Sequence, residues 1–572
     1  MKLIAHYLKK HLSIFLLSTF FLTLEAIADL LQPAFMANII DEGIAGADIK
    51  LILHYGAVML AIALVGAFSA VMRNIFASRT SQAIGRELRS DMYGNVLSLS
   101  LENIDRLQPA SIITRITNDV TQIQEFINSC MRMMVKAPIT CIGAIVLIIV
   151  QTPRQIPIIA VILFITALLI AGNMRIGYPK FGKLQMTLDR LNNVSREFLS
   201  SVRVVKAFNA EDQETAKFQA ASLDMADAGT SAMRTMAVFS PLINLTVNMG
   251  IVVLLWISRR QDSSQIGRLM ASVNYMTQVL FSLNMISNTL NTAVRAMASS
   301  ERIGEVLAEK PVQSLPEKPL YPDVCGGIDF KDVSFSYSGA GNESLSHVSF
   351  HAGPGETIGI IGPTGSGKTT LVNLVPRFYD ASEGKVLIDG IDVTQMDEKV
   401  LRTAVAVVPQ KALLFSGTIM DNLRWGRREA AEDEVREAAE IACADSFINA
   451  SPDGYGTMLG QAGVNLSGGQ KQRLALARAL VRDPKILILD DCTSALDAQT
   501  EAAVLNGLRQ EISNMTVLLV SQRISTVMRA DRILCLENGS VQGYGSHSQL
   551  MVCCPTYRAI YESQIGGGED AE

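Results

Sequence analysis

Up to about residue 310 the chain alternates long apolar stretches with polar ones that keep a helical period. Beyond it the apolar runs are short and bounded by Gly, Pro and Asp. The two regimes predict two kinds of fold. Each long stretch approaches the ~20 residues a helix needs to cross a bilayer. The pattern places six spans at about 12–40, 52–77, 130–151, 156–174, 236–258 and 268–292. The polar stretches joining the second to the third span and the fourth to the fifth are too long for turns. Their periodicity predicts that the spans continue beyond the bilayer as amphipathic helices. The short runs after residue 310 predict an α/β domain. This gives an all-α transmembrane domain over 1–310, a polar linker over 311–325, a second domain over 326–563, and a disordered tail over 564–572 that contains Gly566-Gly567-Gly568.

Composition agrees with a chain partly dissolved in lipid. Of 572 residues, 49% are hydrophobic and 18% charged, and mean hydropathy is +0.26. A net charge of −5 gives no reason to expect a nucleic-acid partner. The eight cysteines are scattered, with one adjacent pair, Cys553–Cys554, and no CxxC, so they form neither a zinc pattern nor a secreted disulfide framework. Lys2, Lys9 and Lys10 before an apolar run imitate a secretory leader, but the run continues past Pro33 to Ile40, which identifies a first span.

Charge sets the expected orientation. The long connections carry Arg79, Arg86, Arg89, Arg106 and Arg115, and then Arg175, Lys180, Lys183, Arg190 and Arg196. The turn after the first span is acidic, with Asp41, Glu42 and Asp48. Basic loops stay in the cytoplasm, so both termini, the long connections and the second domain are expected there, in a bacterial cytoplasmic membrane. Arg259 and Arg260 fall on the opposite side, as a minor exception.

The strongest chemical motif is Gly362-Pro363-Thr364-Gly365-Ser366-Gly367-Lys368-Thr369-Thr370, between an apolar strand-like run, 357–361, and a helix-like run from Leu371. Glycines let backbone N–H groups converge on phosphate oxygens, and the following helix points its positive end at the same place. Lys368 is read as bridging the β- and γ-phosphates of ATP and the Thr369 hydroxyl as a Mg2+ ligand. A second buried strand, 486–490, ends in Asp490-Asp491, and Asp490 is read as holding Mg2+ through water. Leu466-Ser467-Gly468-Gly469-Gln470 opens a helical segment some 20 residues earlier, which makes a second phosphate site.

With these motifs in this order, the chain resembles the ATP-binding-cassette (ABC) superfamily over essentially its whole length, in the arrangement of an exporter-type, multidrug-like half-transporter. The resemblance implies further roles. Tyr337 matches the aromatic residue that stacks on adenine, and Gln410 the glutamine that senses the γ-phosphate and Mg2+. Ser494-Ala495-Leu496-Asp497 matches the loop that crosses the dimer interface. Leu101 to Arg106 and Phe208 to Lys217 lie where the family has its coupling helices. In the family two cassettes sandwich two ATPs, so Leu466–Gln470 is implied to act in trans on a partner's nucleotide.

Two departures from that pattern stand out. Where the family has a water-polarising glutamate, this chain has Asp491. Where it has a switch histidine, this chain has Gln522. One methylene less draws the carboxylate back from the water, and an amide can hydrogen-bond the γ-phosphate but carries neither the charge nor the proton of histidine. Gly460-Gln461-Ala462-Gly463 also lacks the usual glutamate of that loop. The expectation is a site that binds ATP and hydrolyses it slowly, in a heterodimer whose partner supplies the missing groups, with drug, lipid or peptide as small-molecule substrate. The alternatives are a homodimeric exporter, an exporter-fold importer of metal chelates, and a nucleotide-gated channel or regulator.

Inside the first span, Glu25 and Asp29 share one helix face. They are read as structural pairing or as lying near the outward mouth, rather than as a lining for cationic substrates. Met133, Met134, Met236, Met249, Met276 and Met285 are read as helix-contact filler. No peptidase-like domain is expected before the first span, and no motif encodes the substrate.

Overall fold

In the computed structural model, the residues described are 2–153, 156–258, 266–339, 341–511 and 515–565. They form two compact units: Met1–Gly94 with Ile112–Ala308, and Asn95–Ser111 with Glu309–Glu572. Arg259 and Arg260 lie outside the described residues, as do the tail residues from Gly566 on.

Among the described residues, the first unit is built of helices joined by short turns. Five stretches among the described residues are long and apolar enough to cross a membrane: Leu12–Ile44, Ile49–Ser98, Pro109–Gln151, Ile156–Ala207 and Glu211–Val253. Their apolar side chains do not all turn inward: Leu16, Phe20, Leu60 and Leu64 are exposed, as a lipid-facing surface requires. The predicted extensions form as continuous helix. Ile49–Ser98 runs for 50 residues, and its buried positions Ala77, Ser81, Ile84, Leu88 and Met92 recur every three or four residues. The predicted fourth and fifth spans lie in helices of 52 and 48 residues, which pack along each other.

The predicted sixth span lies in the helix Ile266–Ala308, which falls short of the other five in apolar character. Its polar groups find partners in neighbouring helices instead. Tyr275 donates to the Leu30 carbonyl at 2.9 Å and Gln278 to the Asp29 carbonyl at 3.2 Å, while Ser282 meets Thr140 at 2.7 Å. This helix packs between Leu12–Asn38 and Lys136–Gln151 around Leu30, Ala144, Ile148, Tyr275 and Val279. Gly143 permits the close approach there, since a Cβ would meet Leu30 Cδ1 at 2.4 Å.

Glu25 and Asp29 are indeed paired. Arg73 Nε lies 2.7 Å from Glu25, and Lys136 Nζ lies 2.6 Å from Glu25 and 2.8 Å from Asp29. The methionine expectation needs correction. Met276 is buried, but Met134, Met236 and Met249 are exposed, so about half of each faces away from the rest of the chain.

The second unit is α/β. A six-stranded sheet has the order Ser540–Gly545, Arg532–Glu537, Thr357–Ile361, Thr516–Val520, Ile486–Asp490, Val405–Val408, with all neighbours parallel except the first pair. Strands Ile486–Asp490 and Thr516–Val520 are buried at every position. Their unbroken apolar runs are what a parallel strand covered on both faces demands. A four-stranded antiparallel sheet (Leu345–Ala352, Ile328–Phe335, Glu383–Ile388, Ile391–Asp392) lies beside it. A mostly helical part shares a separate core containing Leu414, Ile419, Val435, Ile448 and Leu474.

Three boundaries depart from expectation. The short helix Leu101–Leu107 clusters with the α/β unit rather than with the membrane helices. Tyr379 donates to Asp105 at 2.6 Å, and Asn103 bonds Glu309 and the Lys310 carbonyl at 2.5 and 2.9 Å. By contrast, 208–217 forms no separate short helix: a turn at 208–210 leads directly into the long helix that starts at Glu211. Finally, Gln564 and Ile565 belong to the last helix, Pro555–Ile565, and not to a tail.

Candidate functional site

The phosphate-loop motif folds as its neighbours dictate. The strand Thr357–Ile361 ends at Gly362, and the helix Lys368–Leu374 starts directly after the turn. Gly365 and Gly367 take φ of 83° and 93°, which only glycine adopts without strain. At Gly367 a Cβ would also collide with the Ser344 carbonyl oxygen at 2.6 Å. The loop therefore bends where the motif puts its glycines. Lys368 Nζ donates to the carbonyls of Gly362 and Pro363 at 2.8 and 2.7 Å. Burial pulls its pKa down, against the opposing charges of Asp491 and Asp490.

Parallel pairing brings the acids to this loop. Ile486–Asp490 runs beside Thr516–Val520, which runs beside Thr357–Ile361, so the carboxyl ends of the three strands are level. Thr369 Oγ1 donates to Asp490 at 3.1 Å. Both acids are buried, and burial is the main reason that their pKa values are raised above 3.8. Asp491 has φ of 47°, the left-handed region, and its N–H donates to the Val520 carbonyl at 3.0 Å. Two amides meet its Oδ2: Gln410 at 3.1 Å and Gln522 at 3.4 Å.

These groups line one cleft of about 660 Å³, with Thr364, Gly365, Gly367, Lys368, Thr369, Thr370, Gln410, Asp490, Asp491 and Gln522 on its walls. The structure thus collects residues that the sequence scatters over 160 positions. It adds Asn342, Glu343, Ser344, Asn538 and Gly539, which sequence reasoning missed. The only sequence signal for the last two was an Asn-Gly turn pair.

Other predicted residues lie elsewhere. Tyr337 is not among the lining residues. Its hydroxyl meets Thr370 at 3.2 Å, and its ring stands edge-on to Phe335 and Tyr379. Leu466 to Gln470 are also absent from the cleft. There Ser467 caps the helix Gly468–Leu480: its hydroxyl accepts from Gln470 N at 3.3 Å, and Gln470 Oε1 accepts from Ser467 N at 2.9 Å. The same helix reaches the loop after the acids, where Gln472 accepts from Ala495 N at 3.1 Å. A buried acid, Glu501, joins that loop to the one after Val520 by accepting from Thr493, Thr526 and Arg523 at 2.8, 2.8 and 2.9 Å.

A cleft that pairs a glycine-rich phosphate loop with a buried aspartate and a threonine hydroxyl can bind a nucleoside triphosphate and hold its γ-phosphate against Asp491, Gln410 and Gln522. Comparison with known proteins agrees. Residues 15–283 match the ABC transporter transmembrane region, and residues 345–494 match the ABC transporter family. The chain is 38% identical to the uncharacterized ABC transporter ATP-binding protein YfiB of Bacillus subtilis over 95% of each chain. It is 29% identical to the ATP-dependent lipid A-core flippase of Vibrio vulnificus, over 96% of this chain and 94% of that one. Among solved structures, a bacterial Atm1-family ABC exporter with ATP bound superposes with a TM-score of 0.77 at 27% identity, covering 99% of both chains.

Proposed function

The chain belongs to the ABC transporters, and on that premise we propose that it is one half of an ATP-driven exporter of small amphiphilic molecules, working as a heterodimer in which the ATP site on this chain's own loop motifs is hydrolytically weak. Likeness to the Atm1-family exporter supports the direction of transport, and the flippase among its relatives supports an amphiphilic substrate. The basic connections support a cytoplasmic cassette with both termini on the same side.

The observation that carries the weak-site reading is the environment of Asp491. Its carboxylate is drawn toward two amides, Gln410 and Gln522. Each donates a hydrogen bond and neither can take up a proton near neutral pH. The group that should orient the attacking water is short, and the group that should manage charge at the γ-phosphate has none to offer. Removing one such catalytic function costs about 10²–10⁴ in rate.

The chain's own residues divide the work on ATP. The loop from Gly362 to Gly367 cradles phosphate oxygens, Lys368 neutralises them, Tyr337 supports the adenine, and Gln522 and Gln410 read the γ-phosphate. Thr369, Asp490 and Gln410 are the groups proposed to hold Mg2+. Their hydroxyl, carboxylate and amide oxygens are hard donors that suit an ion shared with phosphates, which when bound spreads the charge developing on them. Leu466 to Gln470 serve the partner's nucleotide. Closure of two cassettes on two ATPs then turns the membrane cavity outward, and hydrolysis at the partner's site resets it.

The test is the ATPase rate of this chain purified alone and co-purified with a second half-transporter. The reading predicts near-inactivity alone and activity that depends on the partner's catalytic glutamate. Brisk hydrolysis by this chain alone would return the reading to a homodimer that tolerates Asp491 and Gln522.

A further inference from the structure

The loop that carries Gln522 is held from outside by the last helix of the chain. Gln564 Nε2 donates to the Gln522 carbonyl at 2.8 Å, and Gln564 Oε1 accepts from the Ile524 N–H at 2.8 Å. One side-chain amide therefore closes on both sides of a three-residue segment. The helix that starts at Ile524 has Arg523 at its N-cap position, with no capping side chain of its own. Gln564 supplies the missing partner from 40 residues away.

The base of this bracket is rigid. Its helix, Pro555–Ile565, is fastened to the strand Arg532–Glu537 by Thr556, which donates to Glu537 at 2.8 Å. Tyr557 is fully buried with Cys535, Leu550, Ile361 and Ile524 in one apolar cluster, and its hydroxyl meets His547 Nδ1 at 2.7 Å. Ile361 is the last residue before the phosphate loop, so the cluster joins the helix, the phosphate-loop strand and the Gln522 loop. Without the bracket, the Gln522 segment would keep the Ser521 N–H to the Ile360 carbonyl at 3.2 Å, the Ser521 hydroxyl to Arg523 N at 3.0 Å and the Arg523 side chain's bonds to Glu501 and the Ser494 carbonyl at 2.9 and 3.2 Å, none of which bonds the Gln522 carbonyl or the Ile524 N–H that Gln564 takes.

We propose that Gln564 is a positioning residue for γ-phosphate recognition: it fixes the backbone of Gln522 to Ile524 so that the Gln522 amide points at Asp491 and at the terminal phosphate. The last helix is then part of the nucleotide site's scaffold. This rests on the reading of Gln522 as the γ-phosphate sensor.

The test measures the affinities of the purified full-length chain for MgATP and MgADP in wild type and in Gln564→Ala, Gln564→Glu and Gln522→Ala. Gln564→Ala should lower the preference for MgATP over MgADP by about threefold to tenfold, the worth of one or two hydrogen bonds, and leave MgADP affinity unchanged. Gln564→Glu keeps the acceptor for Ile524 but sets a carboxylate oxygen against the Gln522 carbonyl, so it should lower the preference at least as far as Gln564→Ala. A purely structural role would weaken both nucleotides together. If Gln522→Ala collapses the preference and Gln564→Ala does not, the positioning role is wrong and the sensor reading survives. If Gln522→Ala itself leaves the preference intact, the sensor reading falls, and the proposal with it.

Discussion

The Gln522 side-chain amide reaches across 3.4 Å to the Oδ2 of Asp491, an oxygen that Gln410 also engages. On the proposed reading, the residue that would prepare water and the residue that would sense phosphate are thus tied to each other. Asp491→Glu, which restores the missing methylene, should raise the ATPase rate of the chain alone about tenfold, and Gln522→His in the same chain should raise it further. The first change also places glutamate at φ of 47°, where Asp is better tolerated, so a stability loss of about 1 kcal/mol should accompany the gain. An unchanged rate in the double variant, with folding intact, would mean that the weakness lies elsewhere.

The two buried acids also set a pH dependence. Burial raises the folded-state pKa of Asp490 and Asp491 above the ordinary value of 3.8. Below that value both folded and unfolded chains are protonated and nothing is lost. As pH rises through the folded-state pKa, the folded chain must ionise a buried group, so stability falls. Asp490→Asn should therefore raise the melting temperature of the nucleotide-free protein at pH 7, by ~2–4 °C for each kcal/mol relieved. The gain should vanish below about pH 4. Thermal scans at both pH values check this; an equal gain at the two would sink it.

In the membrane unit, Glu25 and Asp29 together balance Arg73 and Lys136. Glu25→Gln leaves a buried cation uncompensated and should cost about 3–5 kcal/mol, read as a large drop in melting temperature in detergent. Adding Lys136→Met to Glu25→Gln restores neutrality and should recover much of the loss. No recovery would argue against charge balance as the role of this cluster.

Thiol labelling tests the packing of the cassette. Cys325 and Cys553 are exposed, while Cys492, Cys535 and Cys554 are buried. Burial pushes the Cys492 pKa up to about 12 and raises that of Cys535 as well. Maleimide at neutral pH should modify Cys325 and Cys553 in the folded chain and reach the other three only after denaturation. Rapid native labelling of Cys492, behind Asp491, would contradict the described core.

Ser467 offers a last check. Its capping box with Gln470 is worth about 1 kcal/mol. Ser467→Ala should cost that much stability in the chain alone. In the proposed heterodimer it should also depress hydrolysis at the partner's nucleotide, which separates the cap's structural role from the role proposed for it in trans.

Much of this architecture was legible because its signals are local. A span announces itself through a continuous apolar run, and a phosphate loop through glycines at fixed offsets before a lysine. The departures at Asp491 and Gln522 were equally plain, since each is one residue in a known frame. What stayed hidden depends on contacts between distant segments. Tyr337 reads as an adenine partner, and only the fold shows its ring packed among Phe335 and Tyr379 with its hydroxyl on Thr370 of the cleft wall. Leu101–Leu107 reads as an appendage of the membrane helices, yet Tyr379 and Glu309 draw it into the cassette unit. Gln564 reads as the start of a tail, yet it closes on the Gln522 loop.

The sequence by itself determined the order of the two domains, most of the spans and the residues proposed to bind ATP, because periodicity and motif spacing act over a few turns of chain. Only the tertiary structure decided which of those groups meet. Parallel strand register levels Asp490 with the phosphate loop, and side-chain amides from three separate segments converge around Asp491 and its neighbour loop. Such convergence is set by packing between residues far apart in the chain, and no local pattern encodes it.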